Sequence, residues 1–269
     1  MICNFTKMSD CASDVLGDRI EFYCDFSYYD GRKIVELFDA LKGNTVLRKL
    51  ILNCIYIDTA GARRLAEALD GNTTLTHLEL WSCRLGDEGM EFLSRILKCN
   101  TTLQLLNVSD NSIGPMGICA LSNVLKVNTS LTEITLSFNK PGMIGALALA
   151  RALETNTSLL TLSLSCIGSD VLSIIRSLEH NTGLMVVNLS NNFIDGSKAG
   201  LIARVLAHNT TLTSLILKDN SIGDAGAEMI AATLKHNTTL TYLDLTSNKI
   251  GDDGRVRKYN AFYVAQNGR

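Results

Sequence analysis

Asn209-Thr-Thr-Leu-Thr-Ser-Leu-Ile-Leu-Lys-Asp-Asn-Ser-Ile-Gly-Asp-Ala-Gly226 is answered 28 residues later by Asn237-Thr-Thr-Leu-Thr-Tyr-Leu-Asp-Leu-Thr-Ser-Asn-Lys-Ile-Gly-Asp-Asp-Gly254. The two stretches share asparagine, leucine, isoleucine and glycine at the same offsets. They differ at six positions, two between the leucines and four after them. Working outward, the opening Asn-Thr-x-Leu recurs at Asn44, Asn72, Asn100, Asn128, Asn156, Asn181, Asn209 and Asn237. Every step is 28 residues except the one from Asn156 to Asn181, which is 25. Self-similarity at a fixed period of this size is the mark of a stacked-repeat architecture.

Each opening leucine begins an LxxLxL run, such as Leu75-Leu78-Leu80, Leu131-Ile134-Leu136 or Leu212-Leu215-Leu217. Eight residues after it stands Cys83, Asn111, Asn139, Asn192, Asn220 or Asn248, and two further on Leu85, Ile113, Ile194, Ile222 or Ile250. This is the leucine-rich-repeat consensus. Alternation in LxL predicts a short strand with one face inward and one outward. The asparagine falls where the chain turns, and its amide is suited to backbone groups that would otherwise be buried unpaired. The second half of each unit reads as helix: in Asp224-AGAEMIAATLKHN, residues Ala227, Ile230, Ala231 and Leu234 share a face. Gly61, Gly89, Gly117 and Gly226 recur at its start.

The fold class is therefore α/β: a right-handed solenoid with parallel strands on the concave side and helices on the convex side. A helix is wider than the roughly 4.8 Å strand spacing, so the stack must curve into a horseshoe arc. One domain spans 1–269, with an irregular first turn at 16–43 and eight repeats at 44–250. The segment 251–269 is a partial turn or C-terminal cap, with Tyr259, Phe262 and Tyr263 as sealing residues. In the short fifth turn Cys166-Ile167-Gly168 displaces the turn asparagine. There the descending loop should shorten while the strand around Leu162 and Leu164 stays in register.

Composition narrows the function. Of 269 residues 46% are hydrophobic and 19% charged, and the formal charge is −2. A continuous core is affordable, and no basic field points to nucleic acid. No apolar run nears the roughly 18 residues of a membrane span, and MICNFTKMSDCASDV lacks a secretory h-region. The expectation is no membrane and no nucleic acid. The eight cysteines (3, 11, 24, 54, 83, 99, 119 and 166) form no CxxC pair or metal spacing. Free thiols in a reducing, cytosolic compartment are expected. That would be the host cytosol if the chain is a secreted bacterial effector.

Several motifs have a bland reading that wins. Asn-x-Ser/Thr at Asn72, Asn100, Asn128, Asn156, Asn209 and Asn237 matches a glycosylation acceptor. Its fixed place in the repeat makes it a turn before each strand instead. His180, His208 and His236 lie one repeat apart near helix C-termini, where the dipole favours them, and no carboxylate co-ligands accompany them. No GxxxxGK[ST], HExxH, GxSxG or GxGxxG context occurs. The chain is read as no enzyme, without cofactor or metal.

The 28-residue unit with LxxLxLxxN/C followed by (I/L)GDxG resembles the ribonuclease-inhibitor-like class of leucine-rich repeats. Leu85-Gly86-Asp87-Glu88-Gly89 and Ile222-Gly223-Asp224-Ala225-Gly226 carry the resemblance, over about residues 16–254. Leu78-Glu79-Leu80-Trp81-Ser82-Cys83 is similar to the LxLWxC strands of ribonuclease inhibitors. That resemblance implies a concave, partner-contacting role for Trp81. The other turns are of the asparagine type, so ribonuclease is not implied as the target. The repeat style also resembles the sensor arcs of cytosolic immune receptors and repeat-only bacterial effectors.

Outward positions of the strands supply the candidate binding residues: Lys49, His77, Glu79, Trp81, Asp110, Glu133, Phe138, Lys218, Asp219, Tyr242 and Asp244. Their middle is small and neutral, with aromatic and charged residues toward both ends. Interfaces concentrate energy in such anchors. The function expected is a protein-binding module, monomeric when free, that masks or inhibits a partner, an enzyme among the candidates. Two alternatives stand beside it: a GTPase-activating protein of the leucine-rich-repeat type, and a sensor or scaffold fragment of a larger receptor. The basic end (Arg255, Arg257, Lys258, Arg269) counts against the first, whose members commonly carry an acidic tail.

Overall fold

The repeat asparagines organise the tertiary structure, as their amides stitch each turn to the one before. The computed structural model describes residues 21–25, 31–251 and 262–263. Ten strands form one open sheet in sequence order. They are β1 (Glu21–Asp25), β2 (Lys49–Asn53), β3 (His77–Glu79), β4 (Leu105–Asn107), β5 (Glu133–Thr135), β6 (Thr161–Ser163), β7 (Val186–Asn188), β8 (Ser214–Ile216), β9 (Tyr242–Asp244) and β10 (Phe262–Tyr263). Neighbours from β1 to β9 pair in parallel, and β10 pairs antiparallel to β9. Helices alternate with them: α1 (Gly31–Leu41), α2 (Thr59–Leu69), α3 (Gly86–Leu97), α4 (Pro115–Leu125), α5 (Gly142–Leu153), α6 (Leu172–Ser177), α7 (Gly196–His208) and α8 (Gly223–Leu234). The whole is a leucine-rich-repeat solenoid arc.

Register explains the alternation. Leu50, Leu78, Leu106, Ile134, Leu162, Val187, Leu215 and Leu243 stack as one buried ladder across the sheet. The opening leucines and the third leucine of each run are buried beside it, as are the inner helix faces. The core is therefore one continuous slab between sheet and helices, each turn burying its apolar face only against its neighbours.

Two asparagine ladders satisfy the polar backbone within this slab. In the strand-end ladder, Asn139 Oδ1 accepts the Asn111 and Ile113 N–H groups at 3.1 and 2.9 Å. Its Nδ2 donates to the Val108 and Leu136 carbonyls, both at 2.9 Å. Asn111 does the same for Cys83 and Leu85. In the second ladder, Asn128 Oδ1 accepts the Ser130 and Leu131 N–H groups. Its Nδ2 donates to the carbonyl of Leu97, at the end of α3 one repeat earlier, and to that of Asn100. Asn156, Asn209 and Asn237 repeat the pattern. These are the Asn-Thr motifs, and engagement on both sides of the amide is the turn role that the spacing predicts.

The GDxG motif has a structural meaning too. Gly86 and Gly223 hold φ of 59° and 66°, a conformation that favours glycine. The aspartate that follows reaches into the next turn: Asp87 Oδ1 accepts the Gly114 and Gly117 N–H groups at 2.6 and 2.9 Å. Asp87 thus caps the start of α4 one repeat ahead, and Asp224 Oδ1 likewise accepts the Gly251 N–H at 2.7 Å.

Two expectations are refined. The first turn is regular in its strand: β1 makes five register pairs with β2, and Phe22 is buried against the core. Residues 16–20 and 26–30 lie outside the described residues. In the short turn β6 stays in the sheet, with Leu162 opposite Ile134 and Val187. The deletion, however, falls mainly on the helix. Gly168, at φ 93°, leads into a single 3₁₀ turn (Ser169–Val171), and α6 has only 6 residues where the other helices have 11 to 13. Of the expected C-terminal cap only Phe262–Tyr263 is described, and it closes the sheet edge at β9.

Candidate protein-binding face

Strand alternation lifts every second residue off the core, and register collects these residues into columns. Lys49, His77, Glu133 and Tyr242 lie in one column, flanked at the first turn by Glu21. Glu79 and Asp244 lie in the next, with Tyr23, Ile51 and Asn107. Trp81, Asp110, Phe138, Lys218 and Asp219 follow their strands directly. Asp110, Phe138 and Asp219 have φ of 54°, 60° and 56°, which turns the chain away after the strand. Trp81 is 43% exposed, Phe138 55% and Tyr242 40%. All eleven candidates thus lie on one face or its edge, spread over six of the nine parallel strands.

The two halves of this face differ in how their polar groups are used. In the neutral middle, Ser137 and Ser163 hydroxyls meet at 3.1 Å, and Ser137 Oγ accepts the Ser165 N–H. Ser190 Oγ donates to Asn188 Oδ1 at 2.6 Å. These groups satisfy one another. At the first end Tyr23 donates its hydroxyl proton to Glu21 at 2.7 Å, and Lys49 Nζ sits 5.9 Å from the Tyr23 ring centre. The Glu21 carboxylate holds the Tyr23 phenol above its ordinary pKa, because the bond is lost on ionisation. Thr76 Oγ1 contacts His77 Nδ1 at 2.8 Å. At the far end Lys218 lies 4.0 Å from Asp219, and Asp244 Oδ1 accepts the Thr246 N–H.

Glu21 and Tyr23 are face residues that the repeat pattern misses, since the first turn lacks the Asn-Thr-x-Leu marker. Tyr56 and Phe193, 63% and 68% exposed, are also absent from the candidates. Each lies one residue past the strand-end Asn position, where the consensus allows any side chain. Arg84 lies 5.8 Å from the Tyr56 ring centre, so this edge is joined to the Trp81 turn. Ile51, at an outward position, is only 9% exposed between its column neighbours. Among the described residues no group of three or more His, Cys, Asp or Glu is placed to hold a metal ion. None of the described helices is long and apolar enough to cross a membrane.

Residues 37–148 match the family model described as the TMOD/LMOD leucine-rich domain. Residues 208–231 and 236–256 match a model described as leucine-rich repeat. No curated protein matches the sequence. Among solved structures, "Leiomodin-1 Actin-Binding Site 2 (ABS2)" is 19% identical with a TM-score of 0.41, over 64% of this chain and 86% of that one. The Caenorhabditis elegans tropomodulin C-terminal domain is 13% identical with a TM-score of 0.43, over 56% and 92%. The matching families are repeat domains, and no catalytic family is indicated. With its stacked strand–helix turns, its buried leucine ladder and matches to repeat models near both ends, this chain is a leucine-rich-repeat protein.

Proposed function

We propose that the concave sheet face binds another protein and that binding covers a functional surface of that partner, an enzyme cleft being the favoured case. The observation that carries this is Trp81. It is the sole tryptophan, and it stands 43% exposed on a face whose core-directed neighbour, Leu80, is fully buried. An aromatic of that size left in water favours a partner that removes it. Tyr242 gives the opposite end a second anchor, six strand steps away, or about 29 Å at ordinary sheet spacing. That span suits a small domain seated in the arc. The free thiols of Cys99, Cys119 and Cys166 fit work in a reducing compartment.

The test is capture by the full chain against the Trp81→Ala, Tyr242→Ala double variant. A partner held by the first at micromolar concentration and lost by the second supports the reading. Equal capture by a normally folded double variant would move the contact to the helices or the edge. Purified actin serves as one defined probe, since the Leiomodin-1 Actin-Binding Site 2 is among the similar structures.

A further inference from the structure

The solvent-facing sides of the helices do not share one chemistry. Arg63, Arg64 and Glu67 are exposed on α2, Glu88 and Arg95 on α3, Arg204 on α7, and Asp224 and Glu228 on α8. The middle of the row differs. Among the eleven residues of α4 and the twelve of α5, Arg151 is the one charged side chain. Met143, Ile144 and Met116 are instead 74%, 67% and 61% exposed, and Leu147 and Leu172 are exposed beside them. Close helix packing brings these side chains together. A Cβ added at Gly145 would lie 3.1 Å from Ile118 and 3.3 Å from the Pro115 backbone, and one at Gly142 would lie 3.3 Å from the Pro115 ring. Met116 follows Pro115, and Met143 and Ile144 lie between the two glycines, so all three share one stretch of surface. Leu172 holds the repeat position of Leu147 on the shortened α6 next door.

This apolar patch has a relief. The cleft between α2 and α3 is lined in part by Arg63 and Phe92. Two repeats further along, the same two positions between α4 and α5 are Cys119 and Ala148, both small and part-exposed. A furrow with short walls thus runs beside the ridge of Met143, Ile144 and Leu147, which share one helix face. Ridges seat in grooves when helices pack. We infer that this face joins two copies of the chain in a two-fold contact, the ridge of each copy lying in the furrow of the other. Such a contact needs one surface that complements itself, and no charge within the patch opposes it. Five side chains at these exposures present on the order of 500 Å² of apolar surface, a size that marks interaction sites on single chains. Two copies would then bury on the order of 1,000 Å², at the lower end for a specific interface. The contact is therefore a reversible dimer that forms at micromolar concentration, in place of the monomer that the sequence suggests. Methionine ridges adapt readily to such a surface. Helices and strands lie on opposite sides of the arc, so the pair leaves both concave faces open and stands independently of the concave reading.

Sedimentation velocity on the full chain, from low to high micromolar concentration, tests the pairing. A closed monomer–dimer equilibrium is expected. Met143→Glu, Ile144→Glu puts carboxylates in the first turn of α5, where the helix dipole favours them, so the fold should hold. Dimer affinity should fall about tenfold or more, because like charges then meet across the contact. The uncharged pair Met116→Gln, Leu147→Gln should also weaken it, and serves if the first variant folds poorly. Met185→Glu, Phe193→Glu adds the same charge at exposed apolar positions outside the patch, and should change dimer affinity by less than about twofold. A monomer at every concentration, open-ended association, a dimer indifferent to both patch variants, or equal weakening by the control overturns the inference. So does loss of the dimer in Trp81→Ala, Tyr242→Ala, which would put the contact on the concave face. A dimer that survives that variant while the captured partner is lost supports both readings. A surviving dimer with capture unchanged keeps the pair and removes the concave reading.

Discussion

At the scale of single residues, two neighbours just past β3 separate folding from function. Leu80 is fully buried, whereas Trp81 is 43% exposed. Leu80→Ala should cost about 2–5 kcal/mol through the cavity it leaves. Trp81→Ala should cost less than about 1 kcal/mol, in the range of surface substitutions, and act on binding instead. Urea unfolding of the two variants checks this directly. The strand-end asparagines are the other residue-scale determinant. Asn139→Ala would strand the N–H groups of Asn111 and Ile113 and the carbonyls of Val108 and Leu136. A loss of about 3 kcal/mol or more is expected, since each buried orphan costs about 1–3 kcal/mol. Asn139→Cys should lose less, because the thiol at the equivalent Cys83 still donates to the Leu52 carbonyl.

Elements differ in how their ends are secured. Asp195 caps α7 by accepting the Lys198 N–H at 3.0 Å, and that bond, helped by the Lys198 charge, lowers its pKa. A carboxylate with a lowered folded pKa stabilises fully above its unfolded value, about 3.9. That contribution disappears as pH falls through the folded value. Asp195→Ala should therefore cost about 1 kcal/mol at pH 7, and the gap to the parent should narrow below about pH 4. Denaturant titrations at both pH values, with Asp195→Asn as a cap that does not titrate, test the sign. The six-residue α6 is the weakest of the helices in length. The neighbouring loop compensates by close packing, and a Cβ on Gly183 would meet the Thr157 backbone at 2.7–2.8 Å. Gly183→Ala should accordingly destabilise the chain. Amide exchange across 172–177 should also run faster than across the matching positions of α5, and equal protection would contradict this account.

For the whole molecule, each turn is stabilised by its neighbours, so the concave face is a rigid platform assembled from separate strands. The Trp81→Ala, Tyr242→Ala double variant should keep the parent's circular dichroism and unfolding midpoint to within about 1 kcal/mol. A collapse of the fold would mean that one of these rings packs as core.

Much of this protein is decided locally. The 28-residue period, the buried leucine ladder, the turn asparagines and the outward candidates were all readable, because a solenoid repeats one set of nearest-neighbour contacts and prints it in the chain. Tertiary structure alone decided what happens where the pattern breaks. Residues 21–25 join the sheet without the marker, since a parallel edge at β2 accepts any strand that can bury Phe22. The three-residue deletion shortens α6 because the strand is held by pairs on both sides, whereas the helix packs on the outer layer and yields. Tyr56 and Phe193 became visible as exposed edges only once the turns were stacked, as consensus spacing is silent where any side chain fits. The buried Ser109 hydroxyl without a hydrogen-bond partner belongs to the same class. Hydrogen-bond partnership depends on atoms from neighbouring turns, and spacing along the chain does not encode it.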